Sequence, residues 1–304
     1  MADLVRLITV FGATGGQGSA LVRALIPEHK SFRVRGVTRN PKSAKAEELA
    51  SKGVEIVQAD YSDVPSLERA MEGSYGVFAL TDFWSVMDQA TEAQQGRNLV
   101  DAAKKVGVKH FIYTGQQSSL ELTGKPCVNV DAKKTIEDYM FQTLPAGTAT
   151  SLHYSFYMEN IFSFSKPVKT GEREFTWNVP MGDVPLAMID TSASGYAVVA
   201  AFKDTERYGG KVIGLAGDCK TMQEYCNVIN EIIAPNVLKP TKMTPQEFGK
   251  LDFPAADIVG KMYEFFASGL LEFHISATKE LDPKTKDFKS FVRVNKDKIR
   301  ELLQ

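Results

Sequence analysis

Residues 7–18 read Leu-Ile-Thr-Val-Phe-Gly-Ala-Thr-Gly-Gly-Gln-Gly. The run Leu7 to Phe11 is rich in β-branched and aromatic side chains and stops at Gly12. An apolar-periodic segment (Leu21, Val22, Leu25, Ile26) begins just past Gly18. This pattern predicts a strand, a tight turn and a helix, in that order. Each glycine has a role in such a turn: Gly12 permits a sharp reversal, Gly15 leaves room for a backbone approach to a pyrophosphate, and Gly18 lets helix and strand pack closely. The start of the helix adds unpaired N–H groups and the positive end of its dipole, both suited to an anion.

Outward from this turn, apolar runs alternate with helix-favouring segments. Strands are expected at 32–38, 54–59, 75–80, 109–113 and 149–154, and helices at 42–52, 65–71, 89–106 and 131–141. Six strands alternating with helices predict a Rossmann-type α/β fold, a doubly wound and mostly parallel sheet. Right-handed crossovers then bring the C-terminal strand ends to one edge, with Gly12, Thr38, Asp60, Thr81, Thr114 and Tyr154 at or just past them. Beyond residue 155 the pattern loosens. Residues 156–183 carry aromatics between Gly and Pro breaks and read as an irregular excursion with short strands. Helix is expected at 191–202, strand at 211–215, helix at 221–233, 243–253 and 255–266, then a charged tail. The expected division is a dinucleotide-binding domain over 1–155, completed by segments within about 185–220. Residues 156–304 then form mainly a smaller α+β subdomain over the crevice.

The chain has 304 residues, 43% hydrophobic and 24% charged, with a formal net charge of −1. It is long enough for a substantial core. Its charge balance argues against a phosphate-tracking surface, and therefore against direct nucleic-acid binding or attraction to a membrane. Cys127, Cys219 and Cys226 have neither disulfide-framework nor zinc-site spacing and read as reduced thiols. No leader and no bilayer-length apolar run is evident. The expected location is the cytoplasm, with the nucleus also open.

The Gly-x-x-Gly-x-x-Gly spacing resembles that of extended and atypical short-chain dehydrogenase/reductase proteins. Further pieces are Val-Thr-Arg-Asn-Pro (37–41), Gln-Ala-Asp (58–60), Thr-Asp-Phe-Trp (81–84), Asp-Ala-Lys (131–133), Tyr-Met-Glu-Asn (157–160) and Met-Gly-Asp-Val-Pro (181–185). With Lys-Met-Thr-Pro-Gln-Glu-Phe (242–248) and Met-Tyr-Glu-Phe-Phe-Ala (262–267), they resemble the NmrA-like family over nearly the whole chain. The resemblance implies NADP(H) as ligand and a dimer as assembly.

Arg39 carries the choice of cofactor. NAD-preferring dinucleotide folds place an acidic residue there, on the ribose 2′-OH. Here the site holds Thr38, Arg39 and Asn40, with Lys42 and Lys45 nearby, a set suited to a 2′-phosphate. In the wider reductase group a lysine holding the nicotinamide ribose follows a proton-donating tyrosine in the pattern Tyr-x-x-x-Lys. Lys133 matches the lysine, but Asn129 stands where the tyrosine would be, and the pattern occurs nowhere in the chain. Lys133 and Tyr157 are the catalytic candidates if the protein is an enzyme. The implied cofactor-binding set comprises Gly12, Ala13, Thr14, Gly15, Gly16, Gln17, Gly18, Arg39, Asn40, Lys42, Ser43, Asp60, Tyr61, Thr81, Asp82, Phe83, Gln94, Lys133, Tyr157, Met158, Glu159 and Asn160. Gln94 stands where the resemblance calls for a lysine.

No metal-ligand spacing surrounds the four histidines, and no Gly-x-Ser-x-Gly elbow occurs. The acidic residues read as solvated helix faces, with no carboxylate pair among them. Two functions remain. The favoured one is an NADP(H)-binding redox sensor acting through a regulatory protein partner, which the missing tyrosine supports. The alternative is an NADPH-dependent reductase of a quinone, carbonyl or imine-like compound. A scaffold with a structural nucleotide is a third, blander option.

Overall fold

In the computed structural model, which describes residues 5–304, the opening segment forms β1 (Arg6–Val10), a reversal at Gly12 and α1 (Gly16–Leu25). Then come β2 (Phe32–Thr38), α2 (Ala44–Ser51), β3 (Glu55–Gln58), α3 (Val64–Met71), β4 (Gly76–Ala79), α4 (Phe83–Val86) and α5 (Gln89–Val106). The next elements are β5 (His110–Tyr113), α6 (Ser119–Thr123), α7 (Val128–Thr143) and β6 (Ala149–Tyr154). Side-chain caps account for several boundaries. Ser43, Asp63 and Asp88 accept first-turn N–H bonds at the starts of α2, α3 and α5, and α5 ends on Gly107 at φ 75°.

The excursion supplies β7 (Phe156–Tyr157), β8 (Val168–Lys169) and β9 (Glu174–Trp177), and β10 (Leu186–Ile189), α8 (Gly195–Lys203), α9 (Thr205–Tyr208) and β11 (Val212–Leu215) follow it. The chain continues through β12 (Asp218–Lys220), α10 (Met222–Ile233), β13 (Val237–Pro240), α11 (Pro245–Phe248) and α12 (Ala256–Phe266). The principal sheet has the order β11-β6-β5-β4-β1-β2-β3, and every neighbouring pair is parallel. The predicted sheet is therefore present, and the segment expected at 211–215 is its seventh strand. On one face, α1 and α8 bury Leu21, Val22, Val198 and Phe202. On the other, Leu67, Leu99, Val100, Ile136 and Met140 come from α3, α5 and α7.

Two small sheets, β12-β10-β7 and β13-β9-β8, belong to a separate core built around Trp177, Tyr225, Phe265, Phe288 and Phe291. The last helices correct the expectation of a charged tail. α13 (Ile275–Leu281) packs on α8 and β11 with Leu281 in the main core, and α14 (Phe288–Val294) and α15 (Lys296–Leu302) dock on the smaller core with Phe288, Phe291, Ile299 and Leu303 buried. Their outer faces hold most of the charge, which dilutes a sparse apolar stripe in the sequence. The helix expected at 243–253 shrinks to α11, because Gly249 and the turn through Leu251 and Phe253 end it. The helix expected at 191–202 begins only at Gly195, after turns at 191–194.

Phe288 lies 4.6 Å from the Tyr225 ring and 6.1 Å from that of Trp177, centroid to centroid. Replacing it with alanine should cost about 3–5 kcal/mol in chemical denaturation, where a loose tail would lose almost nothing. His110 offers a pH test. Burial, reinforced by Arg6, lowers its pKa to about 4, and its ring nitrogens lie 2.8 Å from Thr150 Oγ1 and 3.0 Å from Thr205 Oγ1. A base depressed in the fold binds more protons once unfolded, so the His110 contribution to stability should fall as pH drops from about 6.5 to about 4 and level off below. Urea denaturation across that range should show the slope, and His110→Asn should lack it.

Candidate functional site

A cleft of about 900 Å³ runs along the C-terminal strand ends. Gly12 makes the first turn at φ 63°. A Cβ on Gly18 would lie 2.2 Å from the Gly12 carbonyl oxygen, so only glycine lets α1 start this close to β1. No side chain caps α1 and no acidic residue occupies its first turn. Its leading N–H groups have no intrahelical partner, and Gly15, Gly16, Gln17 and Gly18 line the cleft beside them.

On the β2–β3 side the cleft meets Thr38, Arg39, Asn40, Ser43, Lys45, Asp60 and Tyr61. Arg39 is exposed there, and its carbonyl accepts a bond from Gln58 Nε2 at 3.1 Å. Asn40 Oδ1 accepts from Lys42 N, and Ser43 Oγ from Ala46 N, so both of these side chains shape the turn into α2. Lys42 is not part of the cleft wall, whereas Lys45 is. Tyr61 packs on Phe11 with centroids 6.0 Å apart, and burial raises its phenol above the ordinary range.

Across β1, the far end of the cleft is lined by Thr81, Asp82, Phe83, Trp84, Thr114, Asn129, Lys133, Tyr157 and Asn160, among others. Gln17 reaches over from α1: its Nε2 donates to Tyr157 Oη at 2.7 Å, and its Oε1 accepts from Thr114 Oγ1 at 3.0 Å. Burial pushes Tyr157 up to about 12 against the lowering effect of the Gln17 bond. Lys133 is more engaged than its sequence position suggests. Its Nζ donates to Thr81 O at 2.9 Å, Thr81 Oγ1 at 3.3 Å and Glu92 Oε1 at 2.9 Å. Glu92 is fully buried, and its other oxygen has no partner among the described residues. Thr81 Oγ1 also bonds Glu92 at 2.7 Å and lies 2.9 Å from the Tyr113 hydroxyl, which closes a buried polar network.

Several expected residues lie outside the cleft wall. Ala13 is buried against Gly36, where a Cβ would lie 3.0 Å from the Ala13 methyl. Met158 belongs to the smaller core. Gln94 turns to Asn98 at 2.9 Å, and its neighbour Gln95 lines the cleft instead. Glu159 accepts bonds from the backbone N–H groups of Thr191 and Ser192 at 3.2 and 2.9 Å. Beside it lies Asp190, hydrogen-bonded to Glu159 and to Ser192, with Lys286 Nζ 3.1 Å away. A carboxylate pair, absent from the sequence reading, is thus assembled from distant segments. Burial raises Glu159. Burial also acts upward on Asp190, but the bonds from Ser192, Glu159 and Lys286 outweigh it and hold that group low.

The cleft and its buried network also include Glu92, Gln116, Ser155 and Phe164, which the sequence does not single out. Gln116 and Ser155 lie just past strand ends, whereas Glu92 and Phe164 carry no local signal because their partners come from other segments. The ion pair changes what Lys133 substitution should do. Lys133→Met strands a buried carboxylate and should destabilise the ligand-free protein by about 3–5 kcal/mol. A lysine serving only a ligand would leave the thermal midpoint unchanged.

Comparison with known proteins gives the family. The model of the NmrA-like family matches residues 5–292. The NmrA-like family domain-containing oxidoreductase hkm9 of Aspergillus hancockii is 35% identical over 244 residues, 74% of this chain and 71% of the relative. Its counterpart himF of Aspergillus japonicus is 27% identical over 278 residues, covering 86% and 83%. These relatives do not bear out a finer likeness, carried by the same motifs, to the human NmrA-like family domain-containing protein. Among solved structures, NmrA, a negative transcriptional regulator in complex with NAD, superposes with a TM-score of 0.80 at 21% identity, covering 96% of this chain and 95% of that one. The NADPH-dependent quinone oxidoreductase QOR2 of Escherichia coli, complexed with NADPH, gives 0.79 at 22% identity, covering 94% and 99%. At that identity the structures speak for the fold alone, and the family model and the sequence relatives carry the assignment: this chain belongs to the NmrA-like family.

Proposed function

We propose that the protein is an NADP(H)-dependent oxidoreductase that reduces a small, largely apolar acceptor. The observation that carries the nucleotide is the uncapped α1 N-terminus seated over Gly12 and Gly18, with Arg39 and Lys45 farther along the same cleft. The first suits a pyrophosphate. The second suits a 2′-phosphate, and Arg39 enters no ion pair among the described residues that would compete for it. When bound, the nicotinamide would supply hydride-transfer chemistry. The chain's own part is to hold and orient: α1 N–H groups on the pyrophosphate, Arg39 on the adenosine phosphate, and Thr114, Gln17 and Tyr157 as a fixed wall at the opposite end. The naming of the Aspergillus relatives as oxidoreductases supports this reading, as does the apolar wall continuing past Tyr154 and Phe156.

The sensor reading keeps one observation in its favour. Burial holds the Tyr157 phenol high, which makes it a weak acid even though its oxygen only accepts from Gln17, and Lys133 is already paired with Glu92, so neither is a ready proton donor in the cleft. A reductase of this design would take its proton from solvent or from the Tyr157 hydroxyl, whose proton the bond from Gln17 leaves free. A sensor needs no proton, only unequal nucleotide affinity for two states.

Calorimetric titration with NADPH, NADP⁺, NADH and NAD⁺ tests the nucleotide. Arg39→Glu should weaken NADPH about 10- to 100-fold and leave NADH nearly unchanged. Equal loss of both would remove the phosphate assignment. Repeated turnover of NADPH with a panel of quinones, carbonyls and imines establishes the reductase. Nucleotide-dependent change in assembly without oxidation establishes the sensor in its place.

A further inference from the structure

Beyond the far end of the cleft lies a second cavity of about 230 Å³. The two share Gln116, Tyr154, Ser155, Phe156 and Phe266 as a common wall, on the opposite side of β1 from Arg39. The rest of the annex is mostly apolar, including Leu186, Leu271 and Phe273, and no charged side chain lines it. Its floor is the antiparallel pair β10–β12, in which Ala187 stands opposite Cys219.

Among the polar groups of this wall, most are committed. The Tyr154 hydroxyl is hydrogen-bonded to Ser194. Gln116 Nε2 donates to Tyr154 O at 3.4 Å, and its Oε1 accepts from Gln117 N at 3.0 Å. Ser155 differs. It is 3% exposed, its backbone N–H is bonded to Leu215 O, and its Oγ has no partner among the described residues. A buried hydroxyl without a partner costs free energy, about 1–3 kcal/mol for a typical group, and one rotation turns it toward any acceptor that enters.

We propose that the annex is a ligand pocket for an uncharged compound of one or two fused rings, oriented by a hydrogen bond from Ser155 Oγ to a carbonyl or imine acceptor atom. The absence of charged lining residues sets against anionic and cationic ligands, whose desolvation nothing there would offset. The cavity volume sets the limit on ring count. Calling this ligand the hydride acceptor rests on the oxidoreductase reading, whereas the pocket itself does not. Ser155 acts as a positioning residue.

Cys219 makes the pocket observable without turnover. It is the exposed cysteine, whereas Cys127 and Cys226 are buried. The full-length protein with NADP⁺ bound is treated with N-ethylmaleimide in the presence of 1-tetralone, an uncharged bicyclic ketone, or of 2-naphthoate, its anionic control. Tetralone should slow Cys219 alkylation at least about 5-fold and naphthoate should not. In Ser155→Ala the tetralone concentration giving half protection should rise about 5- to 10-fold, with the thermal midpoint equal or higher. A merely structural serine would lower that midpoint. No protection by tetralone, or protection equal in wild type and Ser155→Ala, overturns the proposal. NADPH oxidation is scored separately. Oxidation without Cys219 protection removes the annex and leaves the reductase, and protection without oxidation by any member of the acceptor panel leaves the pocket and removes the reductase.

Discussion

The close approach of Gly18 to the carbonyl of Gly12 is the constraint on which the rest is built. With the carbonyl 2.2 Å from where a Cβ would stand, α1 lies tight against β1, and its first turn opens into the cleft rather than onto a capping side chain. That placement brings Gln17 within reach of both Tyr157 and Thr114, so one side chain links the glycine turn to β5 and to the excursion. Helix α8 depends on the same geometry. A Cβ on Gly195 would lie 2.3 Å from the Ala20 carbonyl, so α8 packs on α1 at backbone distance and carries β11 to the sheet edge.

Electrostatically, the two ends of the cleft are built on different terms. At the β2 end, cationic side chains stay exposed and free to pair with an entering phosphate. At the β5–β6 end, polar and charged side chains are internalised and already partnered: Lys133 with Glu92, Glu137 hydrogen-bonded with His153 at 2.5 Å, Asp190 with Lys286. Buried pairs of this kind add little net stability but hold their surroundings to one arrangement, because neither partner tolerates being left alone. The polar framework beneath the far end is therefore held to one arrangement, with an apolar surface above it.

The sheet was legible because its signal is local. Strand runs, glycine turns and caps such as Asp88 and Gly107 sit within a few residues of the boundaries they set. The cleft edge followed from topology, which places Gly12, Asp60, Thr81 and Thr114 together whatever their side chains do. Illegible features share a different origin: they need two distant segments in register. The Lys133–Glu92 pair joins α7 to α5, and Glu159–Asp190 joins the excursion to the end of β10. The docked C-terminal helices were hidden because Phe288, Phe291 and Ile299 are sparse among charged neighbours, and only contact with Trp177 and Tyr225 gives that stripe a purpose.

The two tryptophans occupy opposite environments. Trp84 is 42% exposed at the cleft mouth, facing Phe164 across 6.2 Å. Trp177 is fully buried in the smaller core, its indole N–H donated to Ser165 Oγ at 3.3 Å. The chain thereby contains two separate intrinsic optical probes. A red-edge emission component that quenchers in solvent can reach belongs to the mouth, and a blue, shielded component belongs to the smaller core. Events at the crevice and loosening of the C-terminal body therefore leave distinguishable spectral traces in the unlabelled protein.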